Sequence, residues 1–180
     1  MPLRDIIGQP IAVQSLKNFL KKDTIPHAFL FHGEEGCGKH TTAVAFAQAI
    51  NCTNTADDDA CGACSTCRRI QRNTDVDVLT YEPQKKEYLV EEVNPIRKEA
   101  FYTPNTGRRK VLILEKAEAL SRETGNMLLK VLEEPPPSTI FVLISDTPYH
   151  ILPTIRSRSI PILFRPLQPA EMRSILDRSA

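Results

Sequence analysis

The stretch HAFLFHGEEGCGKHTT, residues 27–42, decides the fold class of this chain. A short apolar run ends in a glycine-rich turn, and an alanine-rich segment with helical character follows it. Strand, glycine loop and helix in this order form the context of a phosphate-binding loop with the pattern G-x-x-x-x-G-K-[ST]. Gly33, Gly38 and Lys39 stand at the required positions. A plain glycine-rich turn is the other interpretation of the same residues.

The last position of the pattern, normally Ser or Thr, is His40. Backbone N–H groups from Gly36 to Lys39 and the start of the helix predict an anion site, with the lysine reaching β- and γ-phosphates. The missing hydroxyl normally ligates Mg²⁺, a hard ion for which imidazole is a poor ligand. Thr41 supplies a hydroxyl one residue later, but one helical step turns it away by about 100°. ATP with magnesium is therefore a doubtful ligand.

A nucleotide site also needs an acidic residue at the end of a central strand. The segment KVLILEKAEAL, residues 110–120, has apolar residues followed by Glu115 and Lys116. ATPases of the AAA+ class usually carry Asp-Glu at these two positions. Glu115 could still face a metal, but a lysine cannot act as the water-activating base at neutral pH. Together with His40, this predicts a retained cradle with weak or absent hydrolysis.

Length and composition exclude several classes of protein. The chain has 180 residues, with 41% apolar and 25% charged residues, which are ordinary values for a globular protein. Its formal net charge of +1 gives no global basic field for nucleic acid. No apolar run approaches the roughly 20 residues of a membrane span, and residues 1–10 lack the apolar core of a secretory signal. We expect a cytoplasmic protein with no membrane partner, whose five cysteines are reduced.

Four of the cysteines are clustered with the spacing C-x8-C-x2-C-x2-C. They are Cys52, Cys61, Cys64 and Cys67. Short turns can aim successive sulfurs at one centre, and four thiolates favour Zn²⁺ in a closed structural site. An Fe–S cluster, free thiols and disulfides are the alternatives. Zinc would hold together an insertion at about residues 51–73 that lacks a core of its own. Cys37 stands apart as a small residue that fills the glycine loop.

Three arginines beside the cysteines, Arg68, Arg69 and Arg72, suggest a different function class, a zinc-dependent nucleic-acid binder. Arginines can contact phosphate groups. The near-neutral net charge and the lack of an aromatic stacking set argue against this class.

Strand and helix patterns alternate along the whole chain. Strands are predicted at residues 27–33, 75–83, 110–115, 139–145 and 159–164. Helices are predicted at 11–19, 39–52, 88–101, 121–134 with Ser121 as N-cap, 149–158 and 169–180. Pro95 makes the first turn of the helix at 88–101 uncertain. This alternation predicts an α/β domain with a five-stranded, mainly parallel sheet flanked by helices.

The order of the motifs resembles that in the bacterial DNA polymerase III clamp loader. The stretches that carry the resemblance are IIGQPIAVQSLKNFL, HAFLFHGEEGCGKHTT, the cysteine insertion, KVLILEKAEAL, NMLLKVLEEPPPSTIFVLI and TIRSRS. The string LLKVLEEPP is the most specific of them. The resemblance covers nearly the whole chain, and the cysteine insertion narrows it to the gamma/tau ATPase subunit or the related delta-prime subunit.

The resemblance implies an AAA+ P-loop NTPase-like domain over residues 1–166, a helical lid beginning in 167–180, and a collar domain that is absent from this chain. Departures from the active pattern resemble the delta-prime subunit, which does not hydrolyse ATP. The sequence SRS at residues 157–159 resembles the family's Ser-Arg-Cys motif. Its arginine, Arg158, would act in trans on the nucleotide of a neighbouring subunit, while Arg156 is the weaker candidate. Ser145 and Asp146 fall where relatives sense the γ-phosphate, and are expected here to be ordinary strand-end residues.

The partners implied by the resemblance are the gamma/tau and delta subunits, with the sliding clamp and primer-template DNA reached through the complex. A catalytically active gamma/tau-like ATPase is the alternative. It would need unusual magnesium ligation through Thr41 and Glu115.

Overall fold

The computed structural model describes residues 1–22 and 24–179 as a five-stranded parallel sheet covered by helices on both faces. The strands are β1 (Ala28–His32), β2 (Val78–Tyr81), β3 (Lys110–Leu114), β4 (Thr139–Ser145) and β5 (Ile160–Leu163). The helices are α1 (Pro10–Lys21), α2 (Lys39–Asn51), α3 (Ser65–Gln71), α4 (Val90–Glu99), α5 (Arg122–Glu133), α6 (Pro153–Arg156) and α7 (Pro169–Ser179). Within the described residues, no helix combines the length and apolarity that a membrane crossing requires.

The strand order is β2-β3-β4-β1-β5, and every neighbouring pair is parallel. The central strands β3 and β4 are buried along their whole length, as the apolar runs within them at 111–114 and 140–144 predict. The outer strand β5 is mostly exposed and contains Pro161, which a strand tolerates at the edge of a sheet. The prediction of a five-stranded, mainly parallel α/β sheet is confirmed.

Two apolar clusters lie on the two faces of the sheet, because successive side chains of a strand point in opposite directions. Phe29 and Phe31 of β1 belong to the cluster under α1, α2 and α3, where Phe29 meets Phe46 edge-on with ring centroids 5.2 Å apart. Leu30 belongs to the opposite cluster, under α4, α5 and α6. The central strand β1 is thereby fixed from both sides, and with it the loop that follows.

Helix α5 begins as the sequence predicts. The hydroxyl of Ser121 accepts a hydrogen bond from the backbone N–H of Thr124, which satisfies one of the free donors of the first turn. Leu128, Val131 and Leu132 are buried on one side of the helix. This helix ends immediately before the proline run at 135–137.

Two predictions about helices need correction. The helical stretch predicted at 149–158 is a 3₁₀ turn at Pro148–His150 followed by the four-residue α6, because Leu152 precedes a proline and its ψ of 129° is not helical. The helix predicted at 88–101 is shorter, and Pro95 lies inside α4 rather than in its first turn.

Parallel strands bring four connecting loops to one edge of the sheet. The loops after β1, β2, β3 and β4 leave the carboxyl ends of their strands together, and this edge is where open α/β sheets bind ligands. The glycine loop after β1 is further held by Gln9, whose side chain donates to the carbonyl groups of Cys37 (2.9 Å) and Arg165 (2.7 Å).

Candidate functional site

The glycine loop at residues 33–38 has the backbone of an anion cradle. Gly36 and Gly38 have positive φ angles of 78° and 93°, which favour glycine, and a Cβ at either position would meet no atom within 4 Å. The open space above these two residues is where an anion can approach the backbone. Gly33 is required for a different reason, since a Cβ there would lie 2.3 Å from the carbonyl oxygen of Phe164. Of the three glycines, two thus leave room for an anion and one avoids a clash with neighbouring backbone.

Lys39 opens α2 and turns its side chain back under the loop. Its ammonium group donates to the carbonyl oxygens of Gly33 (2.8 Å) and Glu34 (2.6 Å) and lies 2.7 Å from a carboxylate oxygen of Asp146. The residue is only 6% exposed. These contacts occupy the ammonium within the chain itself. Asp146 was predicted to be an ordinary strand-end residue, and the structure brings it into the cradle.

The imidazole of His40 contacts the carboxylate of Glu115, with Nδ1 2.5 Å from Oε1. The hydrogen bond to Glu115 raises the pKa of His40 above its ordinary value of 6.5, against the effect of burial. When it is protonated, the ring places a positive charge beside the carboxylate that would otherwise face a metal. Neither an oxygen ligand at position 40 nor a free carboxylate at 115 remains, so these residues do not fit a magnesium ion.

Lys116, which follows Glu115, is fixed at the rim of the same edge. It has the left-handed backbone conformation, with φ 49°, and its ammonium lies 2.7 Å from Oε1 of Glu82 at the end of β2. The hydroxyl oxygen of Tyr88 lies 2.7 Å from the carbonyl oxygen of Glu115 and 3.0 Å from that of Tyr81, so its one proton is shared between the ends of β2 and β3. Sequence reasoning missed Glu82 and Tyr88. The position of Glu82 directly after a predicted strand was the one available signal.

Two cavities flank the glycine loop. The first, here called the charged cavity, has a volume of about 400 Å³ and lies over the Lys39–Asp146 and His40–Glu115 pairs. The second, here called the apolar cavity, has a volume of about 390 Å³ and is lined by Ile6, Ile7, Cys37 and Leu167 among others. Thr41 lines both cavities. Thr41 thus borders the site, although Glu115 is already paired with His40.

The four clustered cysteines converge as their spacing predicts. Their sulfur atoms all lie within 4.8 Å of one another, and the sulfurs of Cys52 and Cys64 are 4.0 Å apart. A tetrahedron with Zn–S bonds of about 2.3 Å has edges of about 3.8 Å. All the cysteines are free thiols, and Cys37 lies outside the cluster, buried in the glycine loop. The segment from residue 52 to 67, here called the cysteine loop, can therefore hold a metal ion, and the donor set is consistent with zinc.

The backbone of the cysteine loop favours thiolates. Five N–H groups of the loop donate to the sulfurs of Cys52, Cys61 and Cys64 at 3.3–3.4 Å. Burial opposes ionisation of Cys64, but hydrogen bonds from Cys67 and Thr53 outweigh it and lower the pKa of Cys64 to about 5. Burial raises the pKa of Cys52 and of Cys67, so a bound cation would be needed to hold all four cysteines as thiolates.

Arg158 lies between α6 and β5, at the opposite end of the parallel strands from the cradle. It precedes the amino end of β5, whereas the glycine loop follows the carboxyl end of the parallel strand β1. The guanidinium contacts Oε1 of Glu133 at 2.7 Å and the carbonyl oxygen of Thr154 at 2.9 Å. Four residues of extended strand span about 13 Å, so this arginine does not belong to the chain's own cradle.

The arginines beside the cysteines do not form one cationic surface. Arg69 donates to the buried carboxylate of Asp75 at 3.0 Å, while Arg68 and Arg72 are exposed. One of the three arginines is therefore held in an ion pair within the fold.

The chain matches the family described as “DNA polymerase III, delta subunit” over residues 8–168. It is 35% identical over 176 residues to DNA polymerase III subunit gamma/tau of Mycobacterium bovis, covering 97% of this chain and 30% of the relative. It is 36% identical over 154 residues to DNA polymerase III subunit tau of Bacillus subtilis, covering 86% of this chain and 27% of the relative. The chain thus spans less than a third of the length of these curated relatives.

The fold is similar to solved structures of two Thermotoga maritima proteins. One is a DNA polymerase III gamma subunit-related protein, with a TM-score of 0.68 and 22% identity over 92% of this chain and 49% of that one. The other is the Holliday junction branch migration motor RuvB, with a TM-score of 0.65 and 18% identity over 99% of this chain and 52% of that one. At these identities the likeness concerns the fold alone, which is similar to that of AAA+ P-loop NTPase structures.

Proposed function

Because the chain belongs to the DNA polymerase III delta subunit family, we propose that it acts as a clamp-loader subunit of the delta-prime type. Such a subunit helps to load the sliding clamp onto primer-template DNA, together with gamma/tau and delta subunits, without hydrolysing ATP itself. The domain proposed for this role is residues 1–166, with residues 167–180 beginning a helical lid.

The contact between His40 and Glu115 is the observation that carries this proposal. An active site of this kind needs a hydroxyl for the metal and a carboxylate to activate water. Here the imidazole is paired with the acidic residue at the end of β3, and Lys116 stands where the second carboxylate belongs. Two independent replacements at one site favour a phosphate-binding loop that keeps its backbone conformation but does not support ATP hydrolysis.

The proposed contribution of this subunit to catalysis is Arg158. Its position across the sheet from the cradle is suited to a neighbouring subunit rather than to this one. A guanidinium is always charged and can donate two parallel hydrogen bonds, which suits the charge that develops on a transferred phosphoryl group. In the isolated chain Glu133 and Thr154 hold this side chain, and in the complex it would exchange them for the neighbour's phosphate.

We assign zinc to the cysteine loop as a structural ion. Cys52, Cys61, Cys64 and Cys67 would fill all four positions of a tetrahedral site, which leaves none for a reacting water. The ion would order a segment in which residues 53–58 are exposed and contribute nothing to the core.

An active gamma/tau-like ATPase is the second candidate, because the curated relatives at 35% and 36% identity carry that name. Thr41 lines the charged cavity and would have to replace the missing hydroxyl. Glu115 would have to leave His40 to reach the metal. A delta-prime subunit requires neither change. The effect of magnesium on ATP binding therefore distinguishes the two candidate functions.

Calorimetric titration of the protein with ATP, with magnesium and with a chelator, tests this difference. We expect Kd values that agree within about twofold, or no binding in either condition, because no oxygen ligand is free to hold the ion. The His40→Thr variant is the matched control, since it restores the hydroxyl and releases Glu115, and it should gain magnesium dependence. Strengthening of ATP binding to the unaltered protein by more than about tenfold with magnesium would favour the ATPase.

A further inference from the structure

We propose that Asp59 is a positioning residue that fastens the N-terminal segment, residues 2–7, to the cysteine loop and thereby sets one wall of the apolar cavity. Metal occupancy of the loop and the shape of this cavity are then coupled through one buried carboxylate. This coupling rests on the metal proposed above for the cysteine loop, and not on whether the chain hydrolyses ATP or on its partners.

The carboxylate of Asp59 accepts hydrogen bonds from backbone N–H groups on both sides of the contact. Oδ1 accepts from Leu3 at 2.9 Å and from Ala60 at 2.7 Å, and Oδ2 accepts from Arg4 at 2.8 Å. In the other direction, the guanidinium of Arg4 donates to the carbonyl oxygen of Ala60 at 3.2 Å. The two segments, 55 and 56 residues apart in the chain, are therefore joined by a network of charged and backbone groups.

Burial and charge make this contact strong. The side chain of Asp59 is 1% exposed, and cations at Lys17 (3.4 Å) and Arg4 (3.7 Å) balance its charge. Hydrogen bonds to a buried ionised carboxylate are worth more than those between neutral groups, and removing one partner leaves the others unsatisfied. Leu3 is also fully buried in the core. The start of the N-terminal segment is thus fixed in both position and orientation.

The segment leads directly from this anchor to the apolar cavity. Leu3–Asp5 form a single 3₁₀ turn, and the next residues, Ile6 and Ile7, line the cavity opposite the glycine loop. One short turn separates the anchored amides from the cavity wall. A shift at Leu3 and Arg4 would therefore move the two isoleucines.

The position of Asp59 depends in turn on the cysteines. It lies between Cys52 and Cys61, whose sulfurs are among the four that converge, and the N–H of Cys61 donates to the sulfur of Cys52 at 3.3 Å. Residues 53–58 are exposed, so few core contacts hold this stretch in place. Gly62 packs against Pro2, where an added Cβ would lie 3.3 Å from the proline ring. A metal that fixes the sulfurs fixes the carboxylate between them.

Amide exchange measured by NMR on the zinc-loaded protein tests the coupling. In the Asp59→Asn variant, the Leu3 and Arg4 amides should exchange about tenfold faster or more, because each loses an ionised acceptor. The Ile6 and Ile7 methyl resonances should shift, while elemental analysis still finds about one zinc per chain. Chelating the metal from the unaltered protein should produce the same loss of protection, and this arm needs no substitution.

Asp77 supplies a matched control. Its carboxylate accepts from the amides of Asn105, Thr106 and Gly107 in the same manner, and it lies outside the cysteine loop and the N-terminal segment. Asp77→Asn should release those three amides and leave the Leu3 and Arg4 amides protected. Chelation of the metal should release the Leu3 and Arg4 amides and leave the amides of Asn105, Thr106 and Gly107 protected.

Three results would overturn the proposal. The first is unchanged protection at Leu3 and Arg4 in Asp59→Asn, and the second is unchanged protection after chelation. The third is loss of the zinc in Asp59→Asn, since the carboxylate would then serve the metal loop rather than transmit its state.

Discussion

Replacing Arg158 by alanine is expected to slow ATP hydrolysis at the adjoining subunit about a thousandfold, because an arginine finger is worth 10³ to 10⁵ in rate. The measurement is turnover by a reconstituted complex in which only the adjoining subunit can hydrolyse ATP. In a complex with several active subunits, the other sites would mask the loss. Assembly should persist, since Arg158 is about one-third exposed and its side-chain contacts within the chain are exposed ones, with Glu133, the carbonyl oxygen of Thr154 and the hydroxyl of Ser157.

Arg156 is the matched control for this experiment. It lies two residues earlier, at the end of α6, and is exposed. Arg156→Ala should leave turnover unchanged within about twofold, since surface substitutions of this kind have small effects. A complex that assembles with Arg158→Ala and hydrolyses ATP at the original rate would remove the proposed role of this arginine.

Replacing Cys64 and Cys67 by serine is expected to abolish metal binding and destabilise the domain. A ligand present at 1,000 times its Kd stabilises a fold by about 4 kcal/mol. At roughly 2–4 °C per kcal/mol for a chain of this size, the melting temperature should fall by roughly 8–16 °C. Elemental analysis should find about one zinc per chain in the unaltered protein and none in the variant.

Cys37→Ser provides the comparison for this pair, because Cys37 is buried in the glycine loop and outside the cluster. It should retain its full zinc content. Iron and sulfide in place of zinc would identify an Fe–S cluster. If the unaltered protein contained no metal and the double serine variant had the same melting temperature, the four cysteines would be free thiols without a metal-binding role.

The sequence predicted the sheet because its strongest signals are local. Residues 111–114 and 140–144 are unbroken apolar runs, and the structure buries both completely. The glycine pattern fixed the place of the loop between β1 and α2 for the same reason. Boundaries near prolines were less predictable, as the interruption at Leu152 shows, because a proline restricts the residue before it.

The contacts within the cradle were not predictable, because they depend on strand order. His40 and Glu115 are 75 residues apart, and they meet only because β4 alone separates β3 from β1. Asp146 reaches Lys39 because β4 pairs directly with β1. The sequence identified the replacements at positions 40, 115 and 116, but not the ion pairs in which they are held.

The proposed function requires that this subunit assist its neighbour without hydrolysing ATP itself. The most direct test is ATP turnover by the reconstituted complex carrying Lys39→Ala in this subunit. Lys39 is the one residue that an active phosphate loop cannot lose, and here its ammonium is engaged by Gly33, Glu34 and Asp146. If the chain only assists its neighbour, turnover by the assembled complex should remain within about twofold of the original rate. A loss of about tenfold or more, with assembly intact, would show that this subunit hydrolyses ATP and would contradict the account.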